Sequence, residues 1–342
     1  MSADAIETLA ASREADLSRD LDAAIWKYVA SLDTDMLASA IDDIDANHIR
    51  DQLGIILGLD DAGFPDDLAA PFGDGLAVLI TLAGAIAALA ASQARHTLNP
   101  NSASVRDANA AAAAFLTAFR AGTGDAIRAA IESAIYGEGT PASRAAQLRR
   151  AIGLSVKQAT SLEIMREALH AYTAAPRTHI PARTDATGKR MAATYIRNVD
   201  TRAILAGTRG HLSAAQSRML AKALANPNLT AADANAMLDR HAAALRRHRI
   251  QASLAEGIHG VAEQAKLTGW TIAQRFGALP ADQRRYWHTA GDERVRHAHS
   301  EVPAMNPDGV ALGDPFQTPF GPRMSPPLEW GCRCRVRLAR PA

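Results

Sequence analysis

Seven prolines stand between residues 303 and 327, at positions 303, 307, 315, 319, 322, 326 and 327, and a stretch so interrupted is expected to hold no regular helix. The rest of the chain has the opposite character. Alanine is abundant and aromatic residues make up only 5% of the 342 residues, which favours helices that approach one another closely. The expected fold is therefore mainly α: a helical N-terminal body followed by a small, loop-rich α+β C-terminal domain. A chain of this length buries enough surface to need no disulfides.

Along the body, Leu17, Leu21, Ile25 and Tyr28 recur at helical spacing, with Asp16, Asp20 and Asp22 off that stripe. The Asp33-Thr34-Asp35 start signal predicts one shorter helix holding Ile41, Ile44 and Ile49. Residues 75–94 carry no charge, which is long enough to cross a bilayer, but they are rich in Ala and Gly. A buried helix is the expectation there, with membrane contact as the other reading. A turn at Asn99-Pro100-Asn101-Ser102 ends this region, and short helices are expected over 108–120, 125–136 and 143–152. Leu154-Ser155, Leu212-Ser213 and Leu229-Thr230 each place an apolar residue and a hydroxyl before a helical run, the pattern of a staple and cap. Residues 176–190 read as an exposed basic linker. A long stripe then runs through Ile250, Leu254, Ile258, Val261, Ala265, Ile272 and Phe276 to a stop at Gly277 and Pro280. The expected division is an acidic helical region at 1–98, a basic helical body at 99–240, and a long helix plus terminal domain at 241–342.

The net charge of +1 conceals an asymmetry. Residues 1–75 hold 17 acids and four Lys/Arg, leaving 19 acids and 33 bases in the remainder. The acidic part suits a protein partner and the basic part suits phosphate backbones. Arg240, Arg246, Arg247 and Arg249, with His241 and His248, form the densest basic patch and the candidate contact for double-stranded DNA; a pure nucleic-acid-binding reading would add the basic linker from Arg177 to Arg190. Without stacking aromatics or a recognition helix, such contact is sequence-neutral. The N-terminus lacks a basic region followed by an apolar one, so no secretory signal is expected.

Both cysteines, Cys332 and Cys334, are separated by one residue, too close for an unstrained disulfide. Reduced thiols in a cytosolic setting are expected. A domain with little core benefits from a metal clip, and the two thiolates with an imidazole of His299 or His297 make a donor set suited to structural zinc. Unliganded packing of the thiols is the alternative. The Cys332–Leu338 alternation predicts a closing strand, and Trp287 belongs to the core.

The run Trp287, Asp292-Glu293-Arg294-Val295-Arg296, His299, then Asp314-Pro315-Phe316, Pro326-Pro327 and Gly331-Cys332-Arg333-Cys334 resembles the Mu F-like, or head morphogenesis, domain of tailed-phage minor capsid proteins. The resemblance covers about sixty to ninety residues, with Gly331 standing where the family usually has Asn. It implies a minor head component of a phage or phage-like particle. Such a protein sits at the portal vertex or capsid interior, is made in the host cytoplasm, binds the portal or major capsid protein, and in some cases touches DNA and is delivered on ejection. Trp287, Asp292, Arg294, His299, Cys332 and Cys334 match the family's positions. Asp292 is expected to fix its turn by charged hydrogen bonds to Arg294 or Arg296.

The rival reading is a zinc-dependent hydrolase or nuclease built on His297, His299, Cys332 and Cys334, with His297 and His299 on the same side of a strand. No phosphate-binding Gly loop, Gly-x-Ser-x-Gly or His-Glu-x-x-His occurs. The sequence therefore assigns no catalytic residue and favours a protein that is not an enzyme.

Overall fold

A computed structural model of the chain describes residues 3–42, 45–61, 63–100, 106–137, 139–184, 188, 190–191, 194–329 and 331–339. It is mainly α, with eleven α-helices and seven short strands among the described residues. Contacts divide it into two units that are each discontinuous in sequence, one of residues 1–31, 58–122 and 247–342 and the other of 32–57 and 123–246. The division differs from the contiguous one expected because two long helices, α5 (Arg106–Tyr136) and α10 (Ala231–Arg275), each contribute to both units.

In the first unit, α1 (Ala3–Ser31) buries the expected stripe, with Leu17, Leu21, Ile25 and Tyr28 no more than 5% exposed. It packs on α4 (Ala69–Gln93), whose buried face combines Phe72, Leu79, Leu82 and Ile86 with Ala83, Ala87 and Ala90. By length and composition the Asp66–Gln93 segment is able to span a membrane, yet half of its most apolar window is buried inside the protein. Small residues let α10 approach this helix closely. A Cβ on Gly269 would lie 2.3 Å from the Ala87 carbonyl oxygen. The α10 stripe buries Ile250, Leu254, Ile258, Val261 and Ala265, but Phe276 falls outside the core and stacks on His96 at 5.1 Å.

In the second unit, α2 (Thr34–Ile41) and α3 (Ala46–Ile56) replace the single helix expected there. The break has a local cause, since the Asp45 carboxylate accepts the Asn47 N–H and starts a new helix; Ile44 lies outside the described residues. Conversely, the helices expected at 108–120 and 125–136 are the one helix α5, which runs through Gly122 and Gly124. Helical glycines cost about 1 kcal/mol each, and packing outweighs that here: Thr123 is fully buried and Arg249 lies 3.6 Å from a Cβ built on Gly122. The helices α6 (Pro141–Ala151), α7 (Val156–Ala174), α8 (Thr201–Gly207) and α9 (Ala214–Leu224) complete the unit. Leu162, Met165, Leu169, Leu220, Leu224 and Leu238 lie in one of its cores. Ser155 and Ser213 form capping boxes with Gln158 and Gln216, and Thr230 exchanges hydrogen bonds with Asp233, so all three expected helix starts are present.

Among its described residues, most of the segment expected as a linker is paired backbone. Strands β1 (Arg177–Ile180) and β4 (Thr194–Arg197) are antiparallel with His179 opposite Tyr195, and β2 (Arg183–Thr184) pairs with β3 (Arg190–Met191).

The C-terminal domain has a three-stranded antiparallel sheet in which β5 (Arg284–His288) lies between β6 (Val310–Ala311) and β7 (Arg335–Arg337). Strand β7 is the expected closing strand, shortened to three residues. Despite its proline, residues 297–305 form the helix α11 (His297–Met305). Pro303 costs one backbone bond, while Val302 and His299 bury on one side and the Asn306 side chain donates to the Val302 carbonyl at 2.7 Å.

Candidate metal centre

Strand β5 begins the site by burying Trp287, whose ring meets Phe316 edge-on at 5.2 Å. The chain then turns at Gly291, with φ of 70°, and enters α11, whose first turn carries His299 inward at 3% exposure. At the other end, a turn closed by the Cys332 N–H donating to Glu329 O, with Gly331 at φ of 72°, delivers both cysteines just before β7. Pairing of Val336 with Trp287 fixes their position.

His299, Cys332 and Cys334 are all buried, and their donor atoms lie within 4.8 Å of one another. The Nδ1 of His299 is 3.6 Å from the Sγ of Cys334. A tetrahedral ion with ordinary zinc–sulfur and zinc–nitrogen bonds separates such donors by about 3.6 Å. Two sulfurs and one imidazole form a soft to borderline set, so the cluster is able to hold a metal ion and its chemistry fits zinc. The Nε2 of His299 lies 3.3 Å from the Glu329 carboxylate. In the tautomer whose Nε2–H donates to that carboxylate, Nδ1 turns its lone pair to the sulfurs. The hydrogen bond from Cys334 holds Cys332 well below the usual thiol pKa, with His259 beside it contributing, and the same bond together with burial pushes Cys334 up.

Other expected residues have different places. Asp292 does not pair with the Arg294 or Arg296 side chains. It accepts two bonds from Arg333, at 2.7 and 2.6 Å, and one from the Arg294 backbone N–H at 3.1 Å, while Arg296 faces Glu329 at 3.9 Å. His297 is outside the cluster, with a side chain 89% exposed and paired with Glu301 at 2.8 Å. Two residues share a side in a strand, but in a helix they are about 200° apart, and the segment is helical.

Residues that sequence reasoning did not single out also build the site. Arg285 is fully buried, stacks 4.7 Å over Phe316, and donates to the carbonyls of Asp314 at 2.6 Å and of Met324, tying the proline-rich loops together. Burial pushes its pKa down to about 10. On α10, Glu263 accepts the Val336 N–H at 2.9 Å and Lys266 donates to the Val336 carbonyl at 3.1 Å, so a buried ion pair covers this strand edge. Glu256, His259, Glu263 and Lys266 recur at steps of three, four and three, a polar stripe on an apolar helix that was legible as a signal. Beside the centre lies a cavity of about 850 Å³ whose walls include Glu7, Glu14, Glu256, His259 and Cys332.

The basic patch on α10 is not a continuous surface. Arg246 is 3% exposed and donates to the Ile152 carbonyl at 2.9 Å. Arg249 lies 4.9 Å over the Phe119 ring, where burial lowers its pKa to about 10. Of its four arginines only Arg240 and Arg247 are exposed, with His248 beside them, and Arg247 faces Asp22 at 3.4 Å.

No family model matches this sequence, and no curated protein and no solved structure matches it either.

Proposed function

We propose that this chain is a minor head component of a tailed phage or phage-like particle, and that its C-terminal domain is a zinc-clipped docking module rather than a catalytic one. The observation that supports this most is the clustering of the motif residues. Trp287, Asp292, His299, Cys332 and Cys334 are scattered over 48 positions, yet they converge through Cys334 on His299 and Arg333 on Asp292. Side chains spent on holding strand β7 and the loops in place suit a module whose exposed surface does the work. Zinc would be held by His299, Cys332 and Cys334, with Glu329 orienting the imidazole. When bound, it would supply a cross-link between α11 and the terminal strand in a domain with little core. The proposed partner is the portal protein or the inner face of the major capsid protein, within the virion, after assembly in the host cytoplasm. Of the residues the rival hydrolase reading relies on, His297 faces solvent, outside the cluster.

The test is particle incorporation. Purified particles from a producing strain should contain the protein in a few copies per portal, and Cys332→Ser with Cys334→Ser should lower both incorporation and thermal stability. Full-length protein absent from particles and from portal pull-downs would overturn the reading.

A further inference from the structure

The basic helix patch fails as a surface, so charged elements elsewhere in the molecule come into question. The strongest is the ribbon made by β1 with β4 and β2 with β3. We propose that this two-stranded ribbon is a sequence-neutral contact for double-stranded DNA.

Its root is fixed. Arg197, 9% exposed, donates to the carbonyls of Thr173 at 2.8 Å, Ala175 at 3.0 Å and Leu229, stacks 5.0 Å over Tyr172, and is flanked by the Asn198 N–H donating to the Pro176 carbonyl. Beyond the root, the side chains of Arg177, His179, Arg183, Arg190 and Tyr195 are exposed. Residues 177–197 contain five Lys/Arg against one acid. Among the described residues, Arg177, Arg183 and Arg190 form no ion pair, in contrast to Arg247. The strand register puts Arg177, His179 and Tyr195 on one face, where the Arg177 guanidinium lies 5.3 Å over the Tyr195 ring and the His179 ring lies 5.1 Å from it. A stacked guanidinium is held in place and keeps its donors free to meet an anion.

The shape selects the polyanion. The major groove of B-form DNA admits a two-stranded ribbon, whereas that of an A-form RNA duplex is too narrow. Contacts to phosphate oxygens by arginines carry no base information and release counterions, so binding is steeply salt-dependent.

Fluorescence anisotropy of the full chain with a mixed-sequence DNA duplex, titrated with salt, tests this directly. The variant Arg177→Gln/Arg183→Gln/Arg190→Gln should fold as well as wild type, since all three side chains are exposed. Its slope of log affinity against log salt should be shallower by about 2.7, while Arg240→Gln/Arg247→Gln should leave the slope nearly unchanged. An unchanged slope in the ribbon variant overturns the proposal, as does absence of DNA binding by wild type at low salt. Equal affinity for an RNA duplex overturns the groove argument that selects DNA. This inference does not depend on the head-component reading: DNA binding through the ribbon without particle incorporation would defeat that reading alone.

Discussion

Asp292 and Arg333 face each other through two parallel hydrogen bonds, Nη1 to Oδ2 at 2.7 Å and Nη2 to Oδ1 at 2.6 Å, joining the turn before α11 to the residue between the two cysteines. The arginine holds the carboxyl below its ordinary value. A carboxylate depressed on folding contributes stability above its unfolded pKa of about 3.9 and loses it as pH falls through the folded value. Asp292→Asn should therefore melt lower than wild type at neutral pH, and the difference should close in acid. Melting curves across that range check it, and a deficit that persists at low pH would show that packing rather than charge is at stake.

Glu329 orients His299 from outside the cluster, and carboxylates in this position tune metal affinity by about 10–100-fold. Glu329→Gln should weaken zinc binding by that order and leave the zinc-free fold intact. Competition with a chromophoric chelator measures it. The same titration on Cys332→Ser with Cys334→Ser should show no stoichiometric zinc, and thiol labelling of wild type should slow when zinc is added.

Arg285 is the hub of the proline-rich loops. Replacing it with methionine keeps its bulk over Phe316 but leaves the Asp314 and Met324 carbonyls without their donor. Each orphaned buried acceptor costs about 1–3 kcal/mol, so a loss of about 2–6 kcal/mol is expected. Urea unfolding of the full chain reads this out.

Two glycines in helices should respond with opposite signs. Gly269→Ala gains about 1 kcal/mol in helix propensity but drives its methyl into the Ala87 carbonyl, so the protein should lose stability. At Gly73, in α4, a Cβ meets nothing within 4 Å, and Gly73→Ala should raise the melting temperature. Equal shifts at the two positions would contradict the close approach of α4 and α10.

Periodicity and capping were enough to determine the helical class, the α1 stripe, the core of α10 and the three hydroxyl-capped starts, because those signals act within one or two turns of backbone. Donor chemistry also made Cys332 and Cys334, with His299 or His297, candidates for one metal clip. Tertiary structure decided what local rules could not weigh. Packing of Arg249 and Thr123 carried α5 through two glycines. Burial of Val302 and His299 kept α11 helical around Pro303 and so turned His297 outward. The same long-range packing drew Arg246 and Arg249 into the interior, while Arg177, Arg183 and Arg190 are exposed as the sequence led one to expect, on paired strands rather than a linker. Arginines are alike in composition; whether one meets a carbonyl, a ring or solvent depends on which distant segments fold against it.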